Sequence, residues 1–399
     1  MRMPNPLRWR LPGVGGGVGR AGNSAGDTGT NRGGGGGGGG DGAKVTVVAT
    51  AGVSPPSLVA PSAPLNVVIT GGTSGVGLAL ARAFLAAGDR VVLCARTADR
   101  VEAVVAALHR EAAAADIAAA SAAAPAGAAG DGAEASPPSS PPRRVWGTAA
   151  DVADPAAVDA LVAYATGVLP RLDVWINNAG TIGGTRAPLT TLAADEVVAC
   201  VATNLTGSLL SCRAAAVAMG AQSPPGGLIY LMEGAGSAGG ATAGYAAYGA
   251  TKRALPQLAA SLAKEFAAGG AVGAVGEPPT AGVRVALLSP GMVLTPLLLR
   301  GSTVSFRRFF NILAEEPATV ADTLVPRVRS AALQGAGLGR GRAPAVRFLS
   351  GAAAVAQLVW GGLLGVRRGR YFDAKGRRVL RDGDTADDFD EMGVRVERL

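Results

Sequence analysis

Leu65-Asn-Val-Val-Ile-Thr70-Gly71-Gly-Thr73-Ser74-Gly75-Val76-Gly77 decides the fold. Leu65–Thr70 is mostly apolar and β-branched, the pattern of a strand buried on both faces. Spaced glycines follow, then a helical run from Leu78 to Ala87 closed by Gly88. A Gly-rich turn between strand and helix lets the backbone approach a pyrophosphate and points the helix N-terminal amides at it. Elsewhere such spacing would mean only a turn; in this setting it predicts a dinucleotide site.

Five further apolar runs repeat the unit: Arg90–Cys94, Val145–Asp151, Val174–Asn177, Leu228–Met232 and Val283–Leu288. Helical runs lie between them, at Asp99–Ala115, from the capping Asp154 to Leu169, at Asp195–Met219 and from Tyr248 to Phe266. This alternation predicts an α/β fold, a doubly wound parallel sheet of Rossmann type covered on both faces. The reading is a single domain at residues 65–300 with a C-terminal extension at 301–399. Two stretches poor in large side chains, about 118–142 and 269–282, read as low-complexity insertions, because they cannot offset the entropy of ordering. Arg96 follows the second strand. An acid there would bind a ribose 2′-hydroxyl, whereas a base accommodates a 2′-phosphate. Arg96, with no acid directly beside it, points to NADPH.

Tyr245-Ala-Ala-Tyr248-Gly-Ala-Thr-Lys252 places a phenol and an ammonium one helical turn apart on one face. The cation is expected to lower the phenol's pKa, making the proton donor that carbonyl reduction needs. By itself the spacing suits any amphipathic helix. Composition narrows the field. There is one histidine, His109, and no Gly-x-Ser-x-Gly elbow joins a predicted strand to a helix, which argues against a hydrolase. Cys94, Cys200 and Cys212 are too few and scattered for a disulfide framework or a metal site, and suit a reducing compartment. Net charge is +8, yet aromatics are only 4% and interleave with no basic cluster, so nucleic acid is not an expected partner.

Thr70-Gly71-x-x-x-Gly75-x-Gly77, Asn177-Asn178-Ala179-Gly180, Asn204, Tyr248-x-x-x-Lys252 and Pro290-Gly291, in that order, resemble the short-chain dehydrogenase/reductase family over about residues 65–300. The resemblance implies roles. Gly71, Ser74 and Val76 would line the phosphate loop with Thr73, Gly75 and Gly77. Asp151 and Val152 would meet the adenine, and Asn178, Ala179 and Gly180 would border the cofactor. Val293 and Thr295, after Pro290 and Gly291, would face the carboxamide. Tyr248 would donate the proton, Lys252 would hold the nicotinamide ribose, and Asn204 would anchor a relay water. The family's catalytic serine falls at Ala235; the nearest hydroxyl is Ser237, the candidate replacement.

Met232-Glu-Gly-Ala-Gly-Ser237, Ser289-Pro-Gly-Met-Val-Leu-Thr295, Phe310-Asn-Ile312, Glu316-Pro-Ala-Thr-Val-Ala321 and Arg368-Gly-Arg-Tyr-Phe-Asp373 narrow the resemblance to chlorophyll b reductases, of the non-yellow colouring-like branch. That implies NADPH-dependent reduction of the 7-formyl group of chlorophyll b or chlorophyllide b to the 7-hydroxymethyl pigment. It also implies a chloroplast location, peripheral on the stromal side of the thylakoid. The implied partners are the light-harvesting complex and a paralogous reductase subunit, in a homo- or hetero-oligomer. The residues alone define only an aldehyde or ketone reductase. A reductase of another apolar carbonyl remains open, as does a catalytically weak scaffold that recruits pigment-catabolic enzymes, which Ala235 would favour.

The first forty residues carry five Arg and one acid and end in eight consecutive glycines. Residues 1–64 therefore read as a transit segment and linker, with Val45–Val53 as a conceivable extra strand. Segment 296–345 is the expected pigment-facing lid. Phe348–Val366 is nineteen uncharged residues before Arg367-Arg368, open to three readings: a buried helix covering the sheet, a surface-lying membrane contact, or a span. Gly369–Asp373 is the expected closing edge strand.

Overall fold

The computed structural model describes residues 63–123, 142–267, 280–334 and 343–396, except 364, 366, 368 and 381–383. Nearly all of the expected transit segment, Val45–Val53 and most of both expected insertions lie outside the described residues.

The alternation resolves into β1 (Asn66–Thr70), α1 (Gly75–Ala86), β2 (Arg90–Ala95), α2 (Ala98–Ala123), β3 (Val145–Ala149), α3 (Pro155–Val168) and β4 (Val174–Asn177). Then come α4 (Ala194–Val201), α5 (Gly207–Ala221), β5 (Gly227–Met232), α6 (Ala246–Ala267) and β6 (Val283–Ser289). The chain continues through β7 (Met292–Val293), α7 (Pro296–Leu299), α8 (Val304–Leu313), β8 (Ala314–Glu315), α9 (Pro317–Gln334), β9 (Ala345–Arg347) and α10 (Gly351–Gln357). Seven strands form one parallel sheet in the order β3-β2-β1-β4-β5-β6-β9, and β7 pairs with β8 apart from it. The order reverses between β1 and β4, opening a crevice at the carboxyl ends of the strands.

Alternate side chains of each strand feed opposite cores. Val67 and Ile69 of β1, Leu228 and Tyr230 of β5, and Val320, Leu324 and Val328 of α9 pack on one face with α1. Val68, Trp175, Ile229 and Leu231 pack on the other with Leu161 of α3, Ala215 of α5 and Leu255 of α6. Helix α3 starts where the sequence says it should: Asp154 accepts from the Ala156 amide at 3.0 Å, and Pro155 occupies the first turn.

Four expectations need correction. Helix α2 runs past Ala115 to Ala123, because an Ala-rich run favours helix even with nothing to bury. The helix expected at Asp195–Met219 is interrupted by a π-turn at Ala202–Thr206 that contains Asn204. The edge strand is β9, not Gly369–Asp373. Tyr371 and Phe372 are instead buried against α8: the Asn311 carboxamide oxygen accepts from both their amides, at 2.7 and 2.9 Å, and its nitrogen donates to the Phe372 carbonyl at 2.8 Å. Phe348–Val366 is not a buried helix on the sheet. Helix α10 passes into a π-turn at Leu358–Leu363 and packs on α8, leaving Val355, Leu358, Val359 and Trp360 exposed, while α9 covers the sheet.

Candidate active site

A cavity of about 710 Å³ crosses the carboxyl ends of the strands, from Arg96 after β2 and Asp151 after β3 to Pro290 and Thr295 after β6. Every residue read from the sequence as cofactor-binding lines it: Gly71, Thr73, Ser74, Gly75, Val76, Gly77, Arg96, Asp151, Val152, Asn178, Ala179, Gly180, Tyr248, Lys252, Pro290, Gly291, Val293 and Thr295. Leu297, Leu298, Phe306, Phe309 and Phe310 complete the wall from the segment expected to form the lid.

The loop at the head of α1 is held by β4. The Asn178 carboxamide donates to the carbonyls of Thr70 and Gly71, both at 2.9 Å, while Thr70 Oγ1 accepts from the amides of Asn178 and Ala179, both at 3.1 Å. A Cβ on Gly77 would fall 2.3 Å from the Gly71 oxygen and 2.4 Å from Asn178 Nδ2, so only glycine closes the turn. Ser74, at the N-cap of α1, spends its side chain on no amide. The first turn of α1 thus faces the cavity as an anion-binding end.

Tyr248 and Lys252 are both buried on α6. Lys252 Nζ donates to the Met232 carbonyl at 3.1 Å and lies 5.7 Å from the centre of the Tyr248 ring. A Cβ on Gly234 would sit 2.4 Å from the Tyr248 hydroxyl, so glycine in the loop just after β5 is what admits the phenol. The expected lowering of the Tyr248 pKa is not found. Burial pushes the phenol up, and Tyr245 and Cys200 add to the rise. Burial also pulls the Lys252 ammonium down to about 8, against an opposing pull from Cys200. The ammonium turns toward a carbonyl, and in so dry a site desolvation outweighs its attraction for a phenolate. Near neutral pH the pair is a neutral phenol, able to donate, beside a charged lysine.

The other two candidates stand behind the wall. Asn204 Oδ1 accepts from the Thr181 amide at 2.8 Å, and its Nδ2 donates to the Thr181 carbonyl at 2.8 Å and to Thr251 Oγ1 at 3.1 Å. Ser237 is buried with its Oγ accepting from the Gly234 amide at 3.0 Å. Neither is a lining residue; each holds a residue that is, Thr181 and Gly234 respectively. Sequence reasoning missed Arg186, Thr181 and Thr242, which do line it. Arg186 and Thr181 sit in an aperiodic loop that carries no signal. The aromatic lining was accessible, because Phe306, Phe309 and Phe310 recur at helical spacing.

A pyrophosphate-binding turn at a strand crossover, joined by one cavity to a buried Tyr–Lys pair, defines a nucleotide-dependent oxidoreductase. The chain belongs to the short chain dehydrogenase family, whose model matches residues 65–129 and 129–300. Within it, the chain is 38% identical over 309 residues to the chlorophyll(ide) b reductase NOL, chloroplastic, of Arabidopsis thaliana, covering 77% of this chain and 76% of that one. It is 36% identical to the NOL protein of Oryza sativa subsp. japonica, covering 77% and 78%. Identity to the probable chlorophyll(ide) b reductase NYC1 of the same rice is 40%, covering 79% of this chain but only 55% of the longer protein. Among solved structures, a 3-ketoacyl-(acyl-carrier-protein) reductase from Brucella melitensis complexed with NADH superposes with a TM-score of 0.52 at 24% identity, covering 72% of this chain and 98% of that one, which speaks for the fold.

Proposed function

We propose that this chain is an NADPH-dependent chlorophyll(ide) b reductase, converting the 7-formyl group of chlorophyll b to a 7-hydroxymethyl group. One observation carries the reading: a buried phenol and ammonium share a cavity with the glycine loop on one side and an aromatic wall, Phe306, Phe309 and Phe310, on the other. The chloroplastic reductases to which the chain is similar give the carbonyl its identity.

The residues fit the cofactor. The α1 N-terminus takes the pyrophosphate, and Arg96, exposed on the cavity wall, takes a 2′-phosphate where an acid would suit a free hydroxyl. The bound dinucleotide supplies the hydride. Tyr248 donates the proton to the formyl oxygen. Lys252, charged below about 8, offers its ammonium to the ribose and the phenol. Asn204 fixes the Thr181 backbone beside Gly180, and Ser237 shapes the turn at Gly234 against which the phenol rests.

Purified chain, NADPH and chlorophyll b, followed by absorbance, test the reading. Turnover confined to other apolar aldehydes would redirect it, and NADPH binding without turnover of any aldehyde would leave a scaffold. Arg96→Ala should weaken NADPH roughly 10- to 100-fold, the loss of a charged hydrogen-bonding group, and leave NADH nearly untouched. Titration of both nucleotides checks this; equal losses would remove the 2′-phosphate role.

The cavity mouth also suits a pigment delivered from a thylakoid surface or a light-harvesting complex. Exposed Phe306 and Phe309 lie on α8, and the elements that carry exposed Val355, Leu358, Val359 and Trp360 pack on that helix, apolar surface fit to lie in a bilayer interface. The chain should float with thylakoid-lipid vesicles, and Trp360→Glu should release most of it. Flotation that the substitution leaves unchanged would exclude this surface.

A further inference from the structure

Arg186 plays no part in the chemistry above, yet it is built into the site. It lies between β4 and α4, lines the cavity and is half-buried. Its Nε and Nη2 donate to the Ala243 carbonyl at 3.1 and 2.9 Å. Its guanidinium carbon lies 4.1 Å from the centre of the Phe306 ring and 5.0 Å from that of Tyr245. Two glycines in the left-handed region make room for it. A Cβ on Gly244 would stand 2.9 Å from Arg186 Cγ, and one on Gly301 would stand 3.4 Å from Arg186 Cβ.

Among the described residues, no carboxylate pairs with Arg186 and nothing accepts from its Nη1. A half-dried cation held in one place without a counter-charge carries a desolvation cost that an anionic ligand would offset. The guanidinium fork also matches a carboxylate in shape. The Tyr245 ring that it covers is 5.5 Å from the Tyr248 ring. Arg186 is therefore the next group outward from the proton donor, placed to meet the periphery of a large ring whose carbonyl lies at Tyr248.

We infer that Arg186 binds a carboxylate carried by the substrate. On the pigment reading, on which this rests, that group is the propionate, free in chlorophyllide b and esterified in chlorophyll b. The site then selects the phytol-free pigment by charge, and Arg186 is a specificity residue.

The test compares chlorophyllide b with its methyl ester, a neutral analogue without the phytyl bulk, using the full chain and NADPH. Wild type should favour the acid in kcat/KM by about tenfold or more, the size of a charged hydrogen bond, with the difference in KM. Arg186→Gln should erase that preference and keep its affinity for NADPH. Equal kcat/KM for acid and ester in wild type would overturn the assignment while leaving the pigment reading intact. A variant that keeps the preference, or that loses NADPH affinity, would overturn it as well. If wild type reduces neither pigment, both the pigment reading and this assignment fail. The acid–ester comparison uses wild type alone, so misfolding of the variant cannot obscure it.

Discussion

Tyr248→Phe should fold, bind NADPH and lose about 10²- to 10⁴-fold in turnover of chlorophyll b, the usual worth of a positioned proton donor. The substitution removes one oxygen and keeps the ring, which packs among Ile182, Cys200 and Tyr245. The oxygen rests against Gly234, so its loss disturbs no large side chain. The phenol is pushed up by burial, so the wild-type group holds its proton across the neutral range and has one to give. Initial rates at saturating NADPH, with cofactor affinity measured on the same preparation, separate lost chemistry from lost binding. A variant that turns over within a few-fold of wild type would show that the proton comes from elsewhere.

Glu315→Ala should cost about 3–5 kcal/mol, the penalty for removing one partner of a buried ion pair and stranding the others. Glu315 is 4% exposed. Its Oε1 accepts from Arg367 Nη2 at 2.6 Å and from Arg370 Nη1, and its Oε2 accepts from Arg370 Nη2 at 2.8 Å and from the Tyr371 hydroxyl at 2.9 Å. Burial alone would raise this carboxyl, but the hydrogen bonds from Arg370, Arg367 and Tyr371 hold it below its ordinary value of 4.5. A depressed folded value means that the contribution is complete above the ordinary value and disappears as pH falls through the folded one. Wild type should therefore lose stability on acidification below about pH 4.5, and the variant should lose less over the same range. Urea unfolding at pH 7 and pH 4 measures both effects. Equal stabilities at pH 7 would show that the cluster contributes nothing.

What the sequence disclosed follows from how far each signal reaches. The unit of β1, glycine loop and α1 is contiguous, and one of its glycines, Gly77, is required by the Gly71 carbonyl within it. The placement of Tyr248 and Lys252 on one buried face follows from helical spacing. Their protonation does not, because spacing fixes where side chains start but not that Nζ turns to Met232 or how dry the surroundings are. Strand β9 has three residues, too few for a period to show. Tyr371 and Phe372 looked like a strand because aromatic residues favour strands, but the carboxamide of Asn311, some sixty positions earlier, binds their backbone instead. Arg186 was illegible for a related reason: its site exists only where its own aperiodic loop meets the turn before α6 and the start of α8.

The pairing of β7 with β8 makes the two sides of the pocket depend on different stretches of the chain. Met292 and Val293, on the cavity wall, lie against Ala314 and Glu315, and the partners that neutralise Glu315 are Arg367, Arg370 and Tyr371. The glycine loop, by contrast, is fastened by Thr70 and Asn178. Substitutions at Arg367, Arg370 or Tyr371 should therefore reshape the far wall and leave the hydrogen bonds of the glycine loop in place.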